Sequence, residues 1–178
     1  FNRYIFNVRA SYFDETEEIV AHLAQQGITN IGVFYQNDAY GKAGLAGVER
    51  ALKKRNLAPM ATATVERNTV DVSAAVKALA PSKTGAIVMI SAYKSCAALI
   101  KEMKKAGAFQ QYWNVSFVGS KALADELGDE GRGVQISQVV PFPADDDLAI
   151  TRECREAVKA HGGEALGFVN FEGCITAK

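Results

Sequence analysis

Short apolar runs and longer stretches striped at helical spacing follow one another from end to end of this sequence. Residues 4–8 read as a short strand. Ser11 followed by Asp14 has the form of a capping box, and Asp14, Glu15, Glu17 and Glu18 suit the positive end of a helix dipole. Ile19, Val20, Leu23 and Ala24 make one helical stripe, which Gly27 stops. Residues 31–35 are an unbroken apolar run, hence a buried strand, and the polar turn Gln36-Asn37-Asp38 leads into a helix that opens at Tyr40. That helix carries Leu45, Val48 and Leu52 inward and ends on Lys53, Lys54 and Arg55. Residues 60–65 alternate as a strand, Asp71 caps a helix presenting Val72, Val76 and Leu79, and Pro81 ends it. Residues 86–90 form a continuous apolar strand of the kind buried on both faces. Cys96, Leu99, Ile100 and Met103 stripe the next helix, which closes at Gly107. A fourth core strand is expected over 114–118, a short helix near 121–127, and a fifth strand over 134–140. Five strands separated by helices predict an α/β fold with a doubly wound parallel sheet and right-handed crossovers.

After Val140 the character changes. Pro141-Phe-Pro143-Ala-Asp-Asp-Asp147 is a stiff polar connector that cannot continue the sheet. A helix near 148–161 ends at Gly162-Gly163, and 168–178 read as the first turns of another, with no C-cap signal. The strand at 4–8 has no sequence neighbour to pair with, so both ends read as cut from something larger.

Composition sets modest bounds. The 178 residues are 48% hydrophobic, enough for a real core. Twenty basic residues balance twenty acidic ones, so no charge excess points to nucleic acid or an anionic membrane. No run of 18 apolar residues predicts a membrane span, and no signal peptide is visible at Phe1. Cys96, Cys154 and Cys174 fit no C-x-x-C metal or redox pattern. They read as buried packing thiols, with a disulfide between two of them as the alternative in an oxidising compartment.

The glycines at 41, 44 and 47 recur every third residue, so they lie along one side of their helix and allow it close to the sheet. The spacing is neither G-x-G-x-x-G nor a P-loop, so phosphate handling is not implied and no cofactor is expected. His22 and His161 have no convergent partners for catalysis or metal binding and read as structural. No G-x-S-x-G elbow exists, and the end of the third strand, Ile90-Ser91-Ala92-Tyr93, lacks the carboxylate a phosphate-accepting response regulator needs. An enzyme is therefore not expected. What clusters is a set of strand ends: Tyr40 after the first, Ser91, Ala92 and Tyr93 after the third, Ser116 and Phe117 after the fourth. In a parallel sheet these emerge on one edge, where ligands bind. Aromatics and small hydroxyls there suit a small molecule with an apolar part and a few hydrogen-bonding groups. The plainer alternative is that Tyr40 and Tyr93 only cover the sheet end.

At these residues the chain resembles a known family. Phe34-Tyr-Gln-Asn-Asp-Ala-Tyr-Gly41, Ala86-Ile-Val-Met-Ile-Ser-Ala-Tyr93 with its helix to Lys105-Ala-Gly107, Val115-Ser-Phe-Val-Gly119 and Gly128-Asp-Glu-Gly-Arg-Gly-Val134 are similar, in that order, to the periplasmic solute-binding proteins of branched-chain amino acid ABC transporters. The resemblance implies a Rossmann-like lobe of the type I periplasmic binding protein fold, one of two that close on a ligand. It implies that 1–13 cross from an absent N-terminal lobe and that 14–138 are the ligand-binding C-terminal lobe. It further implies that 139–147 are a hinge crossing and 148–178 a partial return to the N-terminal lobe. Tyr40 matches the family's ligand-contacting tyrosine, and Ala92 or Tyr93 a second contact. Ser116 stands where leucine-type members place an acid for the ligand's ammonium. The implied function is extracytoplasmic, periplasmic capture of a small amino-acid-like or aromatic or carboxylate ligand. The partner would be an ABC transporter permease, with no metal, nucleic acid or membrane insertion. The alternative is a ligand-sensing regulatory module of the same fold.

Overall fold

In the computed structural model, which describes residues 3–5, 7–163 and 165–178, five parallel strands form one sheet. They are β1 (Ile31–Gln36), β2 (Ala61–Val65), β3 (Ala86–Ile90), β4 (Gln111–Asn114) and β5 (Val134–Ile136), in the order β2-β1-β3-β4-β5. The helices are α1 (Tyr12–Gln25), α2 (Ala39–Lys53), α3 (Ser73–Leu79), α4 (Tyr93–Lys105), α5 (Ser120–Leu127), α6 (Ala149–Ala160) and α7 (Phe168–Ala177). Because β1 pairs with β2 on one side and β3 on the other, the winding reverses between β1 and β3. That reversal leaves a crevice at the carboxyl ends of the two strands.

Both faces of the sheet are covered, which is why β1 and β3 are nearly continuous apolar runs. One core gathers Ile19, Val20 and Leu23 of α1 and Val48 and Leu52 of α2 onto Ile31, Val33, Val88 and Ile90. The other gathers Leu79 of α3, Leu99, Ile100 and Met103 of α4 and Leu123 of α5 onto Phe34, Ile87, Met89 and Tyr112. The side chains of each strand thus alternate between two helical layers, the period of two a pleated strand requires. At the start of α1 the capping box is complete. Ser11 Oγ accepts from the Asp14 amide at 3.3 Å, and Asp14 Oδ2 accepts from the Ser11 amide at 3.0 Å.

The chain divides into two compact units, Ser11–Ser137 and Phe1–Ala10 with Gln138–Lys178. The first holds the whole sheet. In the second, α6 and α7 are joined by a disulfide between Cys154 and Cys174, whose Cα atoms are 6.0 Å apart. The Arg9 guanidinium meets the Glu172 carboxylate at 2.7 Å, and the Phe142 and Phe168 rings pack at 6.0 Å.

Four expectations need correction. Cys154 and Cys174 are not packing thiols but a bridged pair; their spacing carries no local signal, and only the fold brings them within bridging range. Cys96 alone is a free, buried thiol. Residues 4, 5, 7 and 8 carry no strand, and Phe6 lies outside the described residues. The fourth strand is Gln111–Asn114, earlier than 114–118, because Tyr112 and Trp113 enter opposite cores while Ser116–Val118 turn as a 3₁₀ helix. The fifth strand stops at Ile136 rather than Val140. The Ser137 amide still donates to Asn114 O at 2.9 Å, but β4 has already turned away and offers no further partner.

Candidate ligand-binding site

Helices in a parallel α/β unit run back against the strands, so each helix start lies at the carboxyl edge of the sheet. Three such junctions place aromatic rings there. Strand β1 ends at Gln36, and Asp38 then caps α2: its Oδ1 accepts from the Gly41 amide at 3.1 Å and its Oδ2 from the Gln36 side-chain amide at 2.5 Å. The Gly41 amide first, then Gln36, hold the Asp38 carboxyl below the usual carboxylate range. A Cβ at Gly41 would fall 1.9 Å from Gln36 O, and one at Gly44 2.7 Å from the Ile90 side chain, so these two glycines seat α2 on the sheet. The third of the series does something else. A Cβ at Gly47 would lie 2.4 Å from Thr16 Oγ1, so Gly47 admits α1 rather than the sheet.

This seating brings Tyr40, in the first turn of α2, between two other rings. Its centroid is 5.2 Å from that of Tyr12 in α1 and 5.2 Å from that of Phe117 after β4, tilted by 59° and 56°. Such tilted contacts suit the ring quadrupoles. The series runs from half-buried Tyr12 and Tyr40 to Phe117, which is 61% exposed. Phe117 thus packs on Tyr40 while much of its surface meets solvent.

Beneath it sits a carboxylate. Glu15, 4% exposed, accepts from the Ser116 amide at 2.8 Å, from Ser116 Oγ at 2.9 Å and from Ser137 Oγ at 2.7 Å. It belongs to the first turn of α1, where it reads as one more acid for the helix dipole; its partners lie 101 and 122 positions away. That Glu15, Tyr12 and Ser137 join this cluster was not legible in the sequence. The usable signal was topological: the first turn of α1 must also lie at this edge.

The six expected site residues fall into two groups. Tyr40, Ser116 and Phe117 gather on the α1–α2 side, Ser116 buried and Phe117 exposed. Ser91, Ala92 and Tyr93 form the junction of β3 with α4. Ser91 is fully buried and its Oγ has no hydrogen-bond partner among the described residues, Ala92 is the exposed N-cap, and Tyr93 packs against the core on the α3–α4 side. Tyr93 and Tyr40 thus share the carboxyl edge but belong to opposite faces of the sheet. Lys94 Nζ lies 5.9 Å from the Tyr93 ring. A cavity of about 670 Å³ elsewhere, between α3 and α4, includes Val72, Val76, Lys77 and Lys101 in its lining but none of the six.

His22 packs its ring 5.1 Å from Trp113 and accepts from the Gln26 amide, and His161 Nδ1 donates to Ala157 O at 2.9 Å. Among the described residues no group of three or more His, Cys, Asp or Glu could hold a metal ion, and no helix is long and apolar enough to cross a membrane.

Residues 1–176 match the periplasmic binding protein family. The chain belongs to that family. A possible leucine/isoleucine/valine-binding protein from Rhodopirellula baltica SH 1 is 34% identical over 96% of the chain, with a TM-score of 0.91 and 48% of its own length covered. A substrate-binding periplasmic protein from Ralstonia solanacearum is 33% identical over 97% of the chain, with a TM-score of 0.85 and 50% covered. A branched-chain amino acid ABC transporter protein from Thermus thermophilus, solved with bound valine, is 18% identical and shares the fold over 99% of the chain, with a TM-score of 0.82 and 47% covered. No curated protein matches the chain. The chain thus spans about half the length of the solved relatives it matches, and its sheet with flanking helices is that of the type I periplasmic binding protein fold. These relatives are named as binding proteins, not as enzymes.

Proposed function

We propose that this chain supplies one ligand-recognition lobe of an extracytoplasmic solute receptor, which captures a small amino-acid-like, aromatic or carboxylate ligand for an ABC transporter. The observation that carries the reading is the contact series Tyr12–Tyr40–Phe117 at the carboxyl edge of a parallel sheet, with Phe117 largely exposed. An exposed aromatic face held rigid by its neighbours costs little ordering when an apolar group lands on it. Ala92 and Tyr93, across the β1/β3 crevice, would contact the same ligand from the other side, with Ser91 and Ser116 supporting the loops that present them. Residues 14–138 are the recognition lobe in this reading, 1–13 and 139–147 its two crossings, and 148–178 part of a second lobe. Closure of two lobes by hinge motion would bury the ligand and present the closed receptor to a permease.

The family's extracytoplasmic setting and the Cys154–Cys174 disulfide both support a periplasmic location, because such bridges persist where the compartment is oxidising. The test is a thermal-shift and calorimetric screen of the chain with L-leucine, L-valine, L-phenylalanine and benzoate. A saturable rise in melting temperature with one of them, removed by Tyr40→Ala, is the expected result. Binding that is indifferent to Tyr40→Ala and Phe117→Ala would overturn the reading.

A further inference from the structure

We propose that Glu15 is the positioning residue of the ligand face: it fixes the loop after β4 so that Phe117 completes the stack on Tyr40. The inference rests on the reading of that edge as the ligand-binding one. Tyr12, Tyr40 and Phe117 come from three separate elements, so two joints must be rigid for the rings to meet. The first joint is between α1 and α2. Close approach at Gly47, where a Cβ would sit 3.1 Å from Tyr12 O, sets Tyr12 against Tyr40. The second joint, between α1 and the loop after β4, is made by Glu15, one turn beyond Tyr12 on the same helix.

The geometry of that joint is a clamp. Glu15 Oε2 accepts from the Ser116 amide at 2.8 Å and Oε1 from Ser116 Oγ at 2.9 Å, so the carboxylate grips one residue by both its backbone and its side chain. Oε2 also accepts from Ser137 Oγ at 2.7 Å, which ties in the segment leaving β5. Phe117 follows Ser116 directly, inside a single 3₁₀ turn bounded by Gly119 at φ 82°. A hold on the Ser116 backbone and side chain therefore acts one residue away from the ring that meets Tyr40. Asp14, the other acid of this first turn, stays in water while it completes the capping box; Glu15 is withdrawn from water. A carboxylate leaves water only when hydrogen bonds compensate it, and charge-assisted ones are the strong ones.

A glutamine can reproduce most of this clamp. Its oxygen can stand at the Oε2 position and accept from the Ser116 amide and Ser137, while the Ser116 hydroxyl rotates to accept from its amide group. Glu15→Ala removes the clamp; Glu15→Gln is the conservative rescue. The test is nuclear Overhauser contact between the Tyr40 and Phe117 rings, with amide exchange over residues 116–118 and the melting temperature as a control. Expected is loss of the ring contact and of amide protection in Glu15→Ala, with both restored in Glu15→Gln. L-leucine affinity should fall by about tenfold or more in Glu15→Ala, as for loss of a binding hot spot, and stay within about threefold in Glu15→Gln. A merely structural role would lower the melting temperature while leaving the ring contact intact in the folded protein, and that result overturns the proposal. Should Glu15→Ala not fold, the double variant Ser116→Ala, Ser137→Ala removes the two hydroxyl bonds and keeps the amide bond; it should weaken the ring contact in part, and an unchanged contact there overturns the proposal. If L-leucine does not bind the parent chain, that counts against the ligand reading, while the ring contact still decides the role of Glu15.

Discussion

One methyl group at Gly41 should damage both the fold and the proposed ligand face. An alanine Cβ there would lie 1.9 Å from Gln36 O and 2.7 Å from Gln36 N, both backbone atoms that cannot rotate away. Carbon–oxygen contacts settle at roughly 3.3–3.6 Å, so the first turn of α2 must withdraw by roughly 1.4 Å. Overpacking of this kind costs about 1–3 kcal/mol. The same retreat breaks the Asp38 cap, worth about 1 kcal/mol. Replacing a helical glycine by alanine returns about 1 kcal/mol. The net expectation is a loss of about 1–3 kcal/mol, read as a lower urea midpoint at unchanged slope and a melting temperature lower by roughly 2–12 °C. Tyr40 moves with that turn, so its ring contact with Tyr12 should weaken in the folded protein. Gly173→Ala in α7, where none of the described residues lies within 4 Å of the added carbon, is the control and should be neutral or stabilising by up to about 1 kcal/mol. A Gly41→Ala protein as stable as its parent, with the Tyr12–Tyr40 contact intact, would refute the seating of α2 on the end of β1.

Opening the disulfide with Cys154→Ser and Cys174→Ser should destabilise the α6–α7 pair by about 3 kcal/mol, as expected for a loop of about 20 residues. Amide exchange confined to those helices checks it. In the unreduced protein a thiol reagent should find no reactive cysteine until unfolding exposes Cys96, whose thiol burial pushes far above its ordinary range. For Asp38, held below the ordinary carboxylate value by the Gly41 amide, the stabilising contribution is present above about pH 4 and is lost as the pH falls through the depressed folded value. Asp38→Asn still caps but does not titrate, so its urea midpoint should vary less with pH over that acidic limb than the parent's.

Much of the fold was legible because its signals are local. The runs at β1 and β3 are apolar throughout since helices cover both faces, and Ser11 with Asp14 announces the start of α1 from four residues. Strand β4 misled because polar Gln111 and Asn114 bracket its aromatics, while the more apolar Val115–Val118 stretch looked better and is a turn. Tyr40 could be placed from its position directly after a strand. The role of Glu15 could not be read, because what distinguishes it from Asp14 and Glu18 is a pair of serines more than a hundred positions away. The Cys154–Cys174 pairing was hidden for a related reason: two cysteines 20 positions apart on different helices show no periodicity that marks them as partners.

The most direct test of the central claim is a ¹H–¹⁵N titration of the chain with L-leucine, L-phenylalanine and benzoate, each taken to millimolar concentration so that weak binding is also seen. The expected result is saturable shifts confined to the carboxyl edge, at Tyr12, Tyr40, Ala92, Tyr93 and residues 116–119. Saturable shifts centred on the opposite edge, around Gly27, Gly85 and Gly107, or none with any of the three, would contradict it.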